Sequence, residues 1–84
     1  MLKEDEIRTA LEAAFSPRRL EVINESRLHA GHSGDDGSGE SHFRVVIEDA
    51  FFADLSRVAR HRAVHKALGP LVGDIHALGL EIGG

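Results

Sequence analysis

The sequence predicts a small two-layer α+β fold, in which helices pack on a three-stranded mixed sheet. Two segments repeat apolar residues at helical spacing, and three shorter segments are rich in alternating or β-branched apolar residues. Their order is helix, strand, strand, helix, a short turn or helix, and strand. A chain of 84 residues suffices for a single domain with a modest core. Because a helix separates the last two strands, we expect these two to be parallel, whereas the first two can be antiparallel.

The first helix is predicted over residues 4–15. Its first turn is acidic, which suits the positive end of the helix dipole. Ser16 and Pro17 end it, because the residue before a proline avoids helical dihedral angles. The apolar positions at helical spacing are Ile7, Ala10, Leu11, Ala14 and Phe15.

Three segments are predicted to be strands: Leu20–Asn24, His42–Glu48 and Ile75–Ile82. The second is the clearest, because its apolar and polar residues alternate. Its packing face holds Phe43, Val45 and Ile47. His42 lies on the opposite, polar face, and we expect it to have a structural role. On the last strand His76, Leu78, Leu80 and Ile82 share one face.

The second helix is predicted from a Ser56 cap to about Leu68. Phe51 and Phe52 are expected to anchor the turn before it, and Gly69 and Pro70 to end it, with a short turn or helix through Val72. The expected apolar stripe consists of Val58, Val64 and Leu68, with Leu55 as a further candidate.

A glycine-rich loop joins the first two strands. The chain is polar from residue 25 to residue 41, and we predict a mobile loop at about residues 27–40. Loops of this length are uncommon in compact domains and are usually functional or disordered.

The charge distribution restricts the classes of partner. The net charge is −4, which argues against whole-surface binding to nucleic acid or anionic lipid. The segment from residue 56 to residue 73 is nevertheless free of acidic residues. It contains Arg57, Arg60, Arg62 and Lys66. Two interpretations stay open: contacts to phosphates or to an acidic partner, and a solvated helix face, which is modestly favoured.

Several functions are not expected from this sequence. The chain has no cysteine, which excludes disulfides, thiol catalysis and thiolate ligands from its own residues. No segment approaches the ~20 apolar residues of a membrane span, and no signal peptide precedes the first helix. No catalytic triad, phosphate loop or carboxylate pair is recognisable, so we expect a non-enzymatic protein. Because neither a membrane span nor a signal peptide is recognisable, we expect it to be cytoplasmic.

The six histidines are the candidate metal ligands. His29 and His32 lie on the predicted loop, and His76 opens the last apolar segment. The alternative is that the loop histidines are solvated and that His76 bonds a backbone carbonyl. Two or three imidazoles are too few for a closed tetrahedral site, so a metal site here would be open or completed by a partner.

His61 and His65 are four residues apart on the second predicted helix. They lack the glutamate that accompanies this spacing in metalloproteases. For His61 we favour a role in the core or at a helix cap over ligation of a metal.

Four ordered segments identify the chain as similar to the BolA family. They are LEVINES at 20–26, ESHFRV at 40–45, SRVARHRAV at 56–64 and IHAL at 75–78. The resemblance extends from about Ile7 to Ile82 and is closest to the short family members. It implies a class II KH-like fold, α-β-β-α-α-β. One departure is Asp54, which stands where the family often has glycine and adds negative charge beside the basic segment.

The resemblance also implies a partner and a shared cofactor. Members of the family bind a monothiol glutaredoxin, and the heterodimer holds a bridging 2Fe–2S cluster in iron homeostasis. The glutaredoxin and glutathione supply the sulfur ligands. The family's C-terminal histidine matches His76, and its loop ligand matches His29 by position, with His32 as the near alternative. The isolated chain is then expected to be a monomer without a cofactor.

A second function follows from the same resemblance. Some family members are described as DNA-binding transcription regulators of stress and morphology genes. The matching segment is the basic helix. Its candidate nucleic-acid or partner contacts are Arg57, Arg60, His61, Arg62 and Lys66.

Overall fold

The structure is a computed structural model that describes residues 2–26 and 42–84. The predicted loop at about residues 27–40 lies outside these ranges. The main elements are α1 (Lys3–Ala14), β1 (Arg19–Asn24), β2 (His42–Glu48), α2 (Arg57–Leu68) and β3 (Ala77–Gly83), with short 3₁₀ helices at Ala50–Phe52 and Gly69–Asp74. The predicted order is confirmed. The largest shift is at the start of β3, two residues later than expected, so that Ile75 and His76 precede the strand.

The three strands form one mixed sheet in the order β1-β2-β3. β1 is antiparallel to β2, and Val22 stands opposite Val45. β3 is parallel to β2, and Val45 stands opposite Leu80. The mixed sheet is therefore as predicted, because α2 returns the chain to the sheet end from which β2 also starts.

The core lies between the sheet and the two long helices. α1 contributes Ile7 and Leu11, four residues apart on one helix face. α2 contributes Val64 and Leu68 with the same spacing. The strand residues that face them are Val22, Phe43, Val45 and Ile47. The alternation in β2 thus predicted its buried face correctly.

The apolar stripe of α2 differs from the prediction at its first position. Val58 is 60% exposed, whereas Val64 is fully buried. Six residues separate them, which places their side chains about 120° apart around the helix. The partly buried Ala63 and Ala67 pack against the core in its place.

Both ends of α2 are defined by local signals in the sequence. The Oγ atom of Ser56 accepts a hydrogen bond from the backbone N–H of Ala59 at 3.1 Å. Gly69 ends the helix with φ of +57°, a value that glycine adopts without steric cost. Pro70 is the second residue of the 3₁₀ helix Gly69–Asp74, which leads toward β3.

The sheet face opposite the helices carries ion pairs. Arg44 on β2 bonds Glu25 at 3.0 Å and Glu81 on β3 at 3.2 Å. The hydrogen bond from Arg44 to Glu25 raises the pKa of this guanidinium, because the carboxylate favours the charged form. Arg19 on β1 pairs with Glu48 of β2 at 3.2 Å. Exposed pairs of this kind contribute about 0–1 kcal/mol each, so they mainly fix the surface arrangement.

The helices are short. α1 and α2 have 12 residues each. Across residues 2–26 and 42–84, no helix has the length and apolar character that crossing a membrane requires.

Candidate functional site

Two histidines meet at one end of the sheet. His42 is the first residue of β2, and His76 directly precedes β3. Because these strands are parallel, their first residues lie at the same edge, and His42 stands opposite Ala77. The two imidazole ring centroids are 5.2 Å apart, with an interplanar angle of 49°.

The two rings differ in their exposure. His42 is 6% exposed, whereas His76 is exposed. The burial of His42 agrees with its expected structural role, although the polar face on which it was predicted to lie is shielded at this end. The ring of His76 covers part of the His42 side chain, so this end of the polar sheet face is shielded from solvent. The result is one buried imidazole beside one accessible imidazole.

The backbone around His42 is fixed by the end of β1. The N–H of His42 donates to Ser26 Oγ at 3.1 Å, and its carbonyl accepts from the N–H of Glu25 at 2.8 Å. Ser26 is itself 4% exposed, and its N–H donates to the side-chain oxygen of Asn24 at 2.9 Å. The Asn-Glu-Ser sequence therefore forms a turn that attaches the end of β1 to the start of β2.

His76 lies between two backbone positions that are also fixed. Ile75 is 8% exposed in the core, and its N–H donates to the carbonyl of Val72 at 3.3 Å. Ala77 is paired in the sheet opposite His42. The apolar residue before the histidine and the strand after it therefore orient the imidazole toward the surface.

The predicted loop ligands, His29 and His32, lie outside the described residues. The residues that border the undescribed segment, Ser26 and His42, are hydrogen-bonded to each other beside His76. Within the described ranges, no group of three or more histidine, aspartate or glutamate side chains is close enough together to hold a metal ion. The described part of this site thus offers two imidazoles, which form at most an open site.

Sequence reasoning did not identify the contact of His42 with His76. The signal that could have shown it is the parallel pairing, since two parallel strands that each begin near a histidine bring those histidines to one edge. This requires the register of β2 against β3, which depends on residues more than 30 positions apart in the sequence.

The basic residues of α2 divide into two groups. Arg57, Arg62 and Lys66 are exposed, and none of them makes an ion pair within residues 2–26 and 42–84. Among the other described cations, Lys3, Arg18, Arg19 and Arg44 each reach a carboxylate, and Arg8 donates to the carbonyl of Leu20. The unpaired positive charge of the described chain is therefore concentrated on α2.

Arg60 binds its own backbone instead. Its guanidinium donates to the carbonyls of Leu55 at 3.1 Å, Ile82 at 3.0 Å and Ala53 at 3.5 Å. These bonds connect the turn before α2 to the outer edge of β3. Arg60 thus has a structural role that its place in a basic cluster did not indicate.

His61 is not a core residue, contrary to the first of its two expected roles. It is half-buried, and its ring lines an open surface groove together with Val58, Arg62 and His65. His65 is exposed. The spacing of four residues therefore places both imidazoles on the outer side of α2.

Comparison with known proteins gives consistent results. The family model described as "BolA-like protein" matches residues 11–83. The chain is 48% identical over 79 residues to human BolA-like protein 1, covering 93% of this chain and 55% of the relative. It is 42% identical over 79 residues to the DNA-binding transcriptional regulator BolA of Vibrio cholerae, covering 93% of this chain and 71% of that protein. The chain therefore spans about half the length of the human relative.

A solved structure with a similar fold agrees with the family match. BolA1 from Arabidopsis thaliana superimposes with a TM-score of 0.82 at 31% sequence identity, covering 95% of this chain and 88% of that chain. It supports the α-β-β-α-α-β topology implied by the resemblance, with a 3₁₀ helix here as the third helical element. From the family model, the sequence identity and the shared fold, we conclude that the chain belongs to the BolA family.

Proposed function

We propose that this protein is a non-enzymatic adaptor of iron–sulfur trafficking and iron homeostasis. It binds a monothiol glutaredoxin and contributes histidine ligands to a bridging 2Fe–2S cluster. The observation that supports this most is the position of His76. This imidazole is exposed, it directly precedes β3, and its ring centroid lies 5.2 Å from that of His42, the described residue that follows the histidine-containing segment.

The chemistry of the donor set is consistent with a shared cluster. This chain has no cysteine, so the partner and glutathione supply the sulfur ligands. A bound 2Fe–2S cluster supplies one-electron chemistry, and histidine in place of cysteine raises its reduction potential. The role of His76 is to present a neutral nitrogen ligand at the protein surface. The ring of the buried His42 lies beside it, with the two centroids 5.2 Å apart.

The second ligand from this chain is assigned to His29. Three residues separate it from Ser26, so chain length limits the distance between their Cα atoms to about 11 Å. His32 is six residues from Ser26, and the corresponding limit is about 22 Å. His29 is the proposed ligand because it matches the family's loop ligand by position, with His32 as the near alternative.

Replacing His76 with alanine should prevent the heterodimer from holding the shared cluster. The protein and a monothiol glutaredoxin are purified together without oxygen, with glutathione present. We expect the wild-type complex to have a visible spectrum different from that of the glutaredoxin homodimer. The His76→Ala complex should revert to the homodimer spectrum, because one imidazole ligand is missing.

The exposed His65 on α2 provides the matched control. His65→Ala removes an imidazole of equal size from the surface and should keep the wild-type spectrum. Circular dichroism checks that both variants are folded. If His76→Ala has the wild-type spectrum, His76 is not a ligand and the proposal is wrong.

DNA binding is a second candidate function. The observation that favours it is the concentration of unpaired cations on α2, together with the name of the Vibrio cholerae relative. Phosphate contacts from arginine and lysine supply affinity without sequence selection. Arg57, Arg62 and Lys66 are the side chains that this function would use, whereas Arg60 is bonded to carbonyls.

The salt dependence of duplex binding tests this function. Each phosphate contact contributes about −0.9 to the slope of log K against log salt. Replacing Arg62 and Lys66 with glutamine should therefore make the slope shallower by about 1.8. Arg19→Gln is the control, since Arg19 is already paired with glutamates on β1 and β2. Absence of any salt-dependent binding would rule out DNA as a ligand.

A further inference from the structure

α2 carries two imidazoles that the proposed cluster site does not use. His61 and His65 are one helical turn apart, and residues at this spacing have Cβ atoms about 5–6 Å apart. Both rings line one open groove of about 420 Å³ with Val58 and Arg62. Within the described residues, neither ring takes part in a hydrogen bond or ion pair. Their side chains are therefore able to turn toward a shared ligand.

We infer that His61 and His65 form a surface site for a divalent transition-metal ion, with Cu²⁺ preferred. Two imidazoles from consecutive turns of a rigid helix can bind one ion at about 2.0–2.1 Å from each nitrogen. The remaining coordination positions are filled by water, which makes the site open and exchangeable. Nothing in this inference depends on the cluster or on the glutaredoxin.

The charges around the groove determine which ions bind. Arg57, Arg62 and Lys66 are on the same helix without carboxylate partners in the described residues, and the sequence from residue 56 to residue 73 has no acid. Hard ions such as Mg²⁺ and Ca²⁺ require oxygen ligands, which this groove does not offer. An ion that binds here must gain enough from imidazole bonds to overcome repulsion by the cations. The order of affinities among divalent metals places Cu²⁺ first.

The same repulsion gives the site an unusual salt dependence. Screening of like charges strengthens binding, so raising the salt from about 20 mM to about 200 mM should increase the Cu²⁺ affinity severalfold. Adventitious binding of Cu²⁺ to the carboxylates of this acidic chain has the opposite dependence. Removing a repelling cation with Arg62→Gln should likewise tighten binding.

Titration of the whole chain with Cu²⁺ tests the site. Isothermal titration calorimetry gives the affinity, and substoichiometric Cu²⁺ in amide NMR spectra identifies the residues whose signals broaden. We expect broadening centred on His61 and His65. His61→Gln and His65→Gln should each weaken binding at this site at least about tenfold, since changes even outside the ligand shell cost 10- to 100-fold at metal sites.

His76→Gln is the matched control, because it removes an exposed histidine from the other candidate site. It should leave the broadening on α2 unchanged. The inference is overturned if both glutamine variants on α2 keep the wild-type broadening there, or if added salt weakens the binding on α2. Mg²⁺ at the same concentrations should bind only elsewhere or not at all.

Discussion

Truncating Phe52 to alanine is expected to lower the free energy of unfolding by about 3–5 kcal/mol. Phe52 is fully buried, and its ring centroid lies 4.9 Å from that of Phe15 and 5.4 Å from that of Phe51. The substitution removes apolar burial and leaves a cavity between the 3₁₀ turn and α1. At about 0.05–0.15 kcal/mol per residue, a chain of 84 residues is stabilised by only about 4–13 kcal/mol. Loss of this ring therefore removes a large part of the total.

Phe51→Ala is the control for this prediction. Its ring is adjacent in sequence but 57% exposed, so its removal should cost less than about 1.5 kcal/mol. The chain has no tryptophan or tyrosine, so urea unfolding is followed by far-ultraviolet circular dichroism. Similar losses in the two variants would contradict the assignment of Phe52 to the core.

The sequence could not distinguish these two phenylalanines. Both are apolar and neighbours, and either could anchor the turn. In a 3₁₀ helix successive side chains point about 120° apart, so only one of them faces the core. Which one does so depends on the direction of the chain after β2, and the tertiary packing determines this direction.

The elements themselves were predictable because local physics marks their ends. Pro17 limits α1, Ser56 caps α2, and Gly69 ends α2 with a positive φ. Alternation in β2 predicted its buried face. The parallel pairing of β3 followed from the helix between the last two strands. These signals lie within a few residues of the features that they determine.

The errors concern contacts between distant segments. Val58 is apolar but exposed, because it lies about 120° around α2 from the buried Val64, while Ala63 and Ala67 pack against the core. Apolar identity alone does not imply burial. His42 was expected to have a structural role on the polar face, but its burial beside His76 was not foreseen. The contact of His42 with His76 depends on the register of the parallel strands, and no local pattern encodes this register.

The candidate site was predictable to a different extent. His76 stood out as a possible ligand from its position before an apolar segment, whereas the partner and the cluster are predictions that rest on the family resemblance. The geometry adds that the His42 ring lies beside His76, and that His42 is hydrogen-bonded to Ser26 at the other end of the undescribed segment. It also separates the basic residues of α2 into unpaired cations and the structural Arg60.

Replacing Arg60 with glutamine should lower the free energy of unfolding by about 2–4 kcal/mol. The guanidinium bonds three backbone carbonyls, and each net bond contributes about 0.5–1.5 kcal/mol. Glutamine is too short to reach both the turn before α2 and Ile82 of β3. The loss should appear in urea unfolding curves and as weaker amide protection at the outer edge of β3.

Arg62→Gln is the matched control, since it removes the same charge from the same helix. Arg62 is exposed and makes no ion pair in the described chain, so its replacement should change stability by less than about 0.5 kcal/mol. Equal stability of the two variants would show that Arg60 is another solvated cation.

The comparison of Arg60→Gln with Arg62→Gln also separates two causes of reduced DNA binding. If Arg62→Gln lowers the salt slope while the protein stays fully stable, the effect is a lost phosphate contact. A loss of binding in Arg60→Gln that follows the fraction unfolded reflects the broken connection between α2 and β3.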